Sequence, residues 1–188
     1  MKTLTYIKNL VKDKHVASIT PSSKFTVERV LKKIDFTRKL TIAEYGPGTG
    51  VITRQILSQL STDSKLIAFE TNPNFCEILK RSLVDSRFEI HNRSAEDISE
   101  VIGKANADYI VSGIPFSMLP PEVKDRILRN TAETLTATGT FLTYQVFPPP
   151  ASLDKFLRAC LKPDLQLVDV EYEFRNIPPM RIYEIRKA

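Results

Sequence analysis

The chain has 188 residues, 42% apolar and 26% charged, which predicts one globular domain over residues 1–188 and excludes a disordered chain. It has no run of about 18 apolar residues that could span a bilayer, and two distant cysteines, Cys76 and Cys160, give neither metal-ligand spacing nor a disulfide framework. The net charge of +5 is uneven, because residues 1–39 hold ten basic and three acidic side chains, and this favours an anionic partner.

Residues 1–36 are predicted to form a basic, amphipathic, helical extension of the domain. In "MKTLTYIKNLVKDK" apolar side chains recur at helical spacing between flanking lysines. The apolar positions are Met1, Leu4, Ile7, Leu10 and Val11. Such a helix can lie in an anionic membrane interface, where each basic residue adds about 1 kcal/mol. It can also pack on the domain's own sheet with its lysines in water, and the pattern leaves both arrangements open.

From residue 24 onward, helix and strand patterns follow one another along the chain. The predicted elements are a helix at 24–34, a strand at 40–45, a helix at 50–60, a strand at 65–70, a helix at 72–83, a strand at 87–92, a short helix at 95–102, a strand at 107–113, a helix at 120–135, a strand at 139–147, a helix at 151–161, and strands at 165–174 and 181–187. Asn72 is the predicted N-cap of its helix, with Pro73 in the first turn. This order predicts an α/β fold with a mostly parallel seven-stranded sheet, helices on both faces and an antiparallel C-terminal strand.

Three alternating glycines, Gly46, Gly48 and Gly50, follow the first strand of the sheet in "TIAEYGPGTGVITRQIL". Their spacing differs from the dinucleotide fingerprint, and no Lys-Ser/Thr pair follows them as in a triphosphate-binding loop. Glu70 ends the second strand, where a carboxylate can accept hydrogen bonds from a ribose diol. The pattern therefore indicates a ribose-containing ligand without a pyrophosphate cradle.

The sequence from Glu44 to Gly50 resembles motif I of the class I S-adenosylmethionine-dependent methyltransferases. That resemblance implies a Rossmann-like fold and S-adenosylmethionine as cofactor. It also implies that the glycines approach the methionine part and that Glu70, with Thr71 after it, holds the ribose. The adenine would lie at "NRSAEDI", where Ser94 stands in place of the family's usual acid. The other implied cofactor contacts there are Ala95 and Glu96, with Asp97 as an alternative to Glu96.

The fourth strand ends in "VSGIPFSMLPPE", where methyltransferases that act on the adenine amine place Asn or Asp before x-Pro-aromatic. Gly113 stands at that position, so the side chain that would read the base is missing, although Ser112 lies one residue earlier. Ser112 remains a candidate for catalysis and for cofactor binding. The substrate-binding candidates that follow it are Ile114, Pro115 and Phe116.

Two further segments, "HVASITPSSKF" and "FRNIPPMRIY", make the chain resemble the bacterial phospholipid N-methyltransferases over nearly its whole length. The resemblance implies methylation of phosphatidylethanolamine toward phosphatidylcholine, by a cytoplasmic enzyme peripheral on the inner face of the plasma membrane. It implies that Ser22 and Ser23 lie over the cofactor's carboxylate. Arginine suits a lipid phosphate, which makes Arg175 and Arg181 substrate-binding candidates. The looser similarity to ribosomal RNA adenine dimethylases keeps RNA adenine methylation as the alternative.

No strong general base stands out in the sequence, so the predicted catalytic groups are those that could orient an amine. They are Tyr45, Tyr144 and Ser112, with Tyr183 as a further substrate-binding candidate. His91 ends the third strand and is interpreted as a surface or structural residue. Neither a metal nor a nucleic acid is expected as a partner, and a monomer is expected.

Overall fold

The computed structural model describes residues 23–146 and 164–188 of the chain. The predictions for the N-terminal helix up to residue 22, for Ser22, for the helix at 151–161 and for Cys160 lie outside these residues. Among the described residues, no helix has the length and apolar character needed to cross a bilayer.

Fourteen helical and strand elements are described. They are α1 (Lys24–Leu31), β1 (Thr41–Tyr45), α2 (Val51–Leu57), β2 (Lys65–Phe69), α3 (Pro73–Ser82), β3 (Phe88–His91), a 3₁₀ turn (Ala95–Asp97), α4 (Ile98–Ile102), β4 (Ala107–Ser112), a second 3₁₀ turn (Phe116–Met118), α5 (Pro121–Thr134), β5 (Leu135–Val146), β6 (Leu165–Glu173) and β7 (Met180–Lys187). The alternation predicted from the sequence is confirmed in this order. As predicted, α3 starts with Pro73 behind an Asn72 cap, whose side chain accepts a hydrogen bond from the Asn74 amide at 2.9 Å.

The seven strands form one sheet in the order β3-β2-β1-β4-β5-β7-β6. Strands β1 to β5 pair in parallel, and β7 runs antiparallel between β5 and β6. The strand order reverses beside β1, between β2 and β4, and ligands in such sheets bind where this reversal meets the carboxyl ends of the strands. The fold class predicted from the sequence is confirmed.

Each face of the sheet carries its own apolar core. On one face, α1 and α2 pack through Val30 and Ile56 over Ile42 and Val111. On the other face, apolar side chains of α4 and α5 pack with the aromatic cluster of the sheet. That cluster consists of Tyr45, Phe69, Phe116, Phe141 and Tyr183. Successive residues of a strand therefore face different helices, which decides which side chains can reach a ligand at the strand ends.

Ion pairs between α1 and the β6–β7 hairpin hold part of the basic N-terminal segment. Arg29 contacts Glu173 at 2.6 Å and Glu171 at 2.8 Å. Lys33 contacts Asp169, Glu171 and Glu184 at 2.7–3.1 Å. Although burial opposes the shift, these carboxylates raise the pKa of Lys33 above the usual lysine value. Because Arg38 also pairs with Asp108, three of the six cations in residues 24–39 are neutralised within the domain.

Asn176, in the loop between β6 and β7, connects this hairpin to the start of α1. Its side chain is 2% exposed, and its Oδ1 accepts hydrogen bonds from the Ser23 amide at 3.0 Å and the Thr26 hydroxyl at 3.1 Å. Its Nδ2 donates to the Pro178 carbonyl at 2.7 Å. The two segments that carry the phospholipid methyltransferase resemblance are therefore joined through one buried amide.

We expect Asn176→Ala to lower the free energy of unfolding by about 3 kcal/mol, because the buried Thr26 hydroxyl, the Ser23 amide and the Pro178 carbonyl lose their partner at once. Urea unfolding followed by circular dichroism measures the change. Asn74→Ala, at an exposed position of α3, is the matched control and should change the free energy by less than about 0.5 kcal/mol. Equal effects of the two substitutions would contradict this role of Asn176.

Candidate active site

The glycine turn, residues 46–50, joins β1 to α2 at the strand-order reversal. Its backbone is fixed by hydrogen bonds from the Gly46 amide to the Phe69 carbonyl and from the Gly50 amide to the Pro47 carbonyl, both at 2.9 Å. Gly50 has φ +81°, and a Cβ there would lie 2.4 Å from Leu79 Cδ2, so only glycine fits. A Cβ on Gly48 would meet nothing within 4 Å. The turn is therefore packed against Leu79 at Gly50 and open at Gly48, where a ligand can approach the backbone.

Glu70 lies at the end of β2 with its carboxylate against this turn. Its Oε2 accepts from the Gly48 amide at 3.2 Å and its Oε1 from the Asn72 amide at 2.8 Å. Burial raises the pKa of Glu70, and these backbone donors oppose the rise. Asn92, after β3, donates from Nδ2 to the Glu70 carbonyl at 2.8 Å, a support that was not predicted from the sequence. The carboxylate is thus positioned before any ligand binds and retains acceptor capacity for two hydroxyl groups.

Glu44, the acid of the motif, points from β1 toward α2. Its side chain is 3% exposed, and Oε2 has no hydrogen-bond partner among the described residues. Burial raises the pKa of Glu44 to about 7, and the neighbouring Glu70 charge adds to the rise. A buried carboxyl oxygen without a partner fits a cationic ligand group, such as the ammonium of a bound amino acid. Glu44, Glu70 and the open side of Gly48 together fit the amino-acid and ribose parts of S-adenosylmethionine.

We expect Glu44→Gln to remove a pH dependence of folding stability in the cofactor-free protein. Between pH 4.5 and about 7 the folded state keeps a proton on Glu44 that the unfolded chain has released, so the free energy of unfolding falls as pH rises through this window. The loss amounts to roughly 3 kcal/mol. Urea unfolding at about pH 5 and about pH 8 should show a smaller decrease for Glu44→Gln than for the wild type, and equal decreases would contradict the buried state of Glu44.

The segment predicted to contact adenine is held by internal contacts. Ser94 caps the 3₁₀ turn by accepting from the Glu96 amide at 3.2 Å, and Ala95 is buried beneath it. The Glu96 carboxylate pairs with Arg126 of α5. This pairing holds the Glu96 carboxylate to α5, so Glu96 does not simply replace the acid missing at Ser94. Thr71 is half-buried directly after Glu70.

The turn after β4 is fixed from two sides. Ser112 is fully buried, and its hydroxyl accepts from the Ile114 amide at 3.3 Å. Gln145 of β5, 5% exposed, accepts from the Phe116 amide at 3.1 Å and donates to the Ile114 carbonyl at 2.8 Å. Ser112 therefore shapes the backbone of the turn, which is a structural alternative to its predicted catalytic and cofactor roles. Gln145 was not predicted, because its only signal in the sequence is one amide in a strand that also contains several threonines.

Tyr144 of β5 fills the space beside Gly113. A Cβ on Gly113 would lie 2.3 Å from the Tyr144 hydroxyl oxygen and 3.4 Å from the Gly46 carbonyl oxygen. A Cβ on Gly46 would in turn lie 3.3 Å from Ile114 Cγ1. Gly46, Gly113, Ile114 and Tyr144 therefore meet at the strand-order reversal. Of the predicted catalytic residues, Tyr144 has its hydroxyl directly beside Gly113, and Pro115 is half-buried in the adjoining turn.

Three predicted site aromatics are corrected by their positions, because their side chains face the α4–α5 core. Tyr45 is fully buried, its hydroxyl lies 3.0 Å from the Thr131 hydroxyl, and burial raises its pKa. Phe116 is fully buried edge-on against Phe141 at 6.2 Å between ring centroids. Tyr183 is 2% exposed and accepts from Arg181 at 3.2 Å. This packing places the three rings in the interior of the domain.

The remaining predicted residues belong to the junction between α1 and the β6–β7 hairpin. Ser23 caps α1 by accepting from the Thr26 amide at 3.5 Å. Arg175 makes a two-point contact with the Glu173 carboxylate at 2.7 and 2.9 Å, and Arg181 lies over the Tyr172 ring at 5.0 Å. A lipid phosphate would have to compete with Glu173 for Arg175. Within residues 23–146 and 164–188 no cluster of three metal-ligating side chains occurs.

Three known proteins that are similar to this chain in sequence or in fold are methyltransferases. A profile of the ribosomal RNA adenine dimethylase family matches residues 21–100. An ornithine lipid N-methyltransferase from Singulisphaera acidiphila is 27% identical over 175 residues, covering 91% of this chain and 88% of that protein. A solved structure of 1,6-didemethyltoxoflavin-N1-methyltransferase from Burkholderia thailandensis, with bound S-adenosylhomocysteine, covers 100% of this chain and 88% of its own at a TM-score of 0.73 and 16% identity. At that identity the likeness is one of fold.

The strongest evidence for the family comes from ribosomal RNA small subunit methyltransferase A of Thermotoga petrophila. It is 30% identical over a 220-residue alignment that covers 100% of this chain and 83% of that protein. The glycine turn, Glu44 and Glu70 fit the cofactor that this class of enzyme uses. The chain therefore belongs to the ribosomal RNA adenine dimethylase family of class I methyltransferases, and its cofactor is S-adenosylmethionine.

Proposed function

We propose that this enzyme methylates the primary amine of a membrane lipid, with phosphatidylethanolamine as the predicted substrate on the way to phosphatidylcholine. The observation that carries the proposal is the contact between Gly113 and Tyr144. A base-reading Asn or Asp at 113 would require the space that the Tyr144 hydroxyl fills. A single hydroxyl suits a flexible primary amine, whereas an exocyclic base amine needs an amide or carboxylate partner.

In this mechanism the protein positions the amine and excludes water. Bound S-adenosylmethionine supplies the methyl group as an electrophile. Glu70 would hold the ribose and Glu44 the ammonium of the cofactor, so that the open side of Gly48 faces its methionine part. The substrate amine has a pKa of about 10 in water and must be neutral to react. A site of low polarity favours this neutral form. The Tyr144 hydroxyl would accept a hydrogen bond from that neutral amine and keep its lone pair directed at the cofactor.

The similarity to an ornithine lipid N-methyltransferase supports this choice of substrate class. Both an ornithine headgroup and an ethanolamine headgroup present a primary amine at a bilayer surface. We therefore place aminolipids as a class ahead of one particular headgroup. The enzyme would act as a peripheral protein on the inner face of the plasma membrane, with residues 1–36 contributing basic and amphipathic contacts.

Methylation of RNA adenine is the second candidate, and the family match favours it. The glycine at position 113 weighs against it, because the side chain that would bind the flipped base is missing. The two candidates differ in the polymer or surface that the enzyme must bind before methyl transfer.

The deciding experiment measures methyl transfer from labelled S-adenosylmethionine to three acceptors. They are liposomes with phosphatidylethanolamine, liposomes with an ornithine lipid, and 16S ribosomal RNA. We expect labelled aminolipid from at least one liposome preparation and none when Glu70→Ala replaces the wild type. Labelled RNA without labelled lipid would reject the proposal and establish the second candidate.

A further inference from the structure

The loop between β6 and β7 exposes a concentration of apolar side chains. We call residues 172–179 the hairpin tip. Phe174 is 66% exposed and Ile177 83% exposed, and the Phe174 ring stacks on the half-exposed Tyr172 ring at 6.0 Å with an angle of 5° between their planes. Pro178 is exposed beside Ile177. Large exposed apolar side chains concentrated in one short loop mark a surface that contacts another phase or molecule.

The hairpin tip presents these side chains from a fixed backbone. Asn176, between Phe174 and Ile177, is buried and bonded to Ser23, Thr26 and Pro178 at 2.7–3.1 Å. An inward side chain at 176 directs its neighbours outward. The exposure of Phe174 and Ile177 is therefore imposed by the fold, at a cost that a soluble surface would avoid by using polar residues.

Two cations lie beside the start of α1 next to the hairpin tip, and the acidic residue of the tip, Glu173, is buried. The Arg175 guanidinium lies 4.1 Å and the Lys24 ammonium 5.1 Å from the centre of the Phe25 ring. Glu173 is 1% exposed and lies between Arg175 and Arg29, and these partners hold its pKa well below the usual range. Residues 174–180 contain no acid. The outer surface is thus apolar, with the Lys24 ammonium and the Glu173-paired Arg175 guanidinium beside it, and this combination fits the headgroup region of an anionic bilayer.

The hairpin tip lies at the same end of the sheet as the glycine turn, namely where the parallel strands have their carboxyl ends. Met180, the first residue of β7, pairs with Val146 at the carboxyl end of β5, and β5 runs parallel to β1. Ser23, at the start of α1, is bonded to Asn176 in the tip, so α1 begins at this end of the sheet as well. A bilayer that contacts the tip would therefore face the end of the sheet where Gly48 is open.

We propose that the hairpin tip inserts Phe174 and Ile177 into the interface of an anionic phospholipid bilayer. This insertion would turn the end of the sheet that carries the glycine turn toward the lipid headgroups. The value of this orientation rests on the proposed function, but the insertion is a physical property that can be measured without methyl transfer. It is a second contact with the membrane, separate from the N-terminal segment.

The absence of tryptophan from the chain allows a direct test. The variant Ile177→Trp places one fluorophore in the tip. The variant Val84→Trp places one at a 96% exposed position between α3 and β3, at the end of the sheet where the parallel strands begin. Vesicles of phosphatidylglycerol and phosphatidylcholine contain no methylatable amine, so binding is separated from catalysis. For Ile177→Trp we expect a blue shift of the tryptophan emission and quenching by brominated acyl chains, and for Val84→Trp neither effect.

Partition measurements on the same vesicles complete the test. The double variant Phe174→Ser, Ile177→Ser should weaken vesicle binding about tenfold or more, because two apolar side chains leave the interface, while Val84→Ser should change it less than about twofold.

Two results would overturn the inference. One is unchanged emission of the Ile177→Trp variant on vesicles that bind the protein. The other is a blue shift that grows with protein concentration alone and so reports a second copy of the chain. Lipid methylation without insertion of the fluorophore at 177 would overturn the inference but leave the proposed function standing. Insertion of the fluorophore without lipid methylation would support the inference and reject the proposed function.

Discussion

Replacing Glu70 by alanine is expected to weaken S-adenosylmethionine binding about 100-fold, or about 3 kcal/mol, while the protein remains folded. The carboxylate is held by the Gly48 and Asn72 amides, so it offers its remaining acceptor positions to a ribose without reorganisation. Its removal takes away the charge-assisted hydrogen bonds to the ligand and also the partner of the Gly48 amide. Isothermal titration calorimetry with S-adenosylmethionine and with S-adenosylhomocysteine measures the change directly.

The matched control for this prediction is Glu77→Ala. Glu77 lies on α3, with a 60% exposed side chain, and its partner is Arg81 at 3.8 Å. This substitution removes the same chemical group and should change cofactor affinity less than about twofold. An affinity of Glu70→Ala equal to that of Glu77→Ala would place the ribose elsewhere and would reject the site built on the glycine turn.

The fold could be predicted from the sequence because its signals are local. Asn72 and Pro73 mark a helix start at adjacent positions. The glycine turn directly follows β1 and Glu70 directly follows β2, so each is recognised from the strand before it. Periodicity along the chain also fixes the order in which strands and helices alternate. These features depend on neighbours in sequence, which a single chain displays directly.

The contacts that fix the site are long-range, and the sequence contains no signal for them. Asn176 bonds to residues 150 and 153 positions away, and Gln145 bonds to residues 29 and 31 positions away. Each is an ordinary amide in the sequence and becomes informative once the sheet brings its partners together. The same applies to Arg29 and Lys33, which the charge pattern assigned to an outside partner and which are paired with the hairpin.

The positions of Tyr45 and Tyr183 differ from the prediction because of the face of the strand that each occupies. Glu44 and Tyr45 are adjacent and therefore point to opposite sides of the sheet, Glu44 toward α2 and Tyr45 toward Thr131 of α5. Tyr183 lies in the α4–α5 core, whereas Tyr144 packs on the α1–α2 side. Strand alternation, counted from Glu44 as a cofactor ligand, is enough by itself to exclude Tyr45 from the cofactor side.

Tyr144 and Gly113 are expected to act as a unit in catalysis. Tyr144→Phe removes only the hydroxyl, and we expect kcat for lipid methylation to fall about 30-fold with cofactor affinity unchanged, because a hydrogen bond that orients the amine is lost in the transition state. Tyr109→Phe is the matched control. The Tyr109 hydroxyl accepts from the Asp35 amide at 3.2 Å, away from the glycine turn. Its loss should leave kcat within about twofold of the wild type.

Gly113→Asn should reduce lipid methylation at least about 100-fold, because the new Cβ would lie 2.3 Å from the Tyr144 hydroxyl oxygen and must displace it. The double variant Gly113→Asn, Tyr144→Ala provides the space again. Its melting temperature should therefore lie closer to that of the wild type than the melting temperature of Gly113→Asn does, while its lipid activity stays lost. Cofactor titration and thermal unfolding of all three variants separate lost chemistry from lost folding. Full lipid activity in Gly113→Asn would show that the Tyr144 hydroxyl is dispensable at this point, and the proposed preference for a lipid amine over adenine would then lose the observation that carries it.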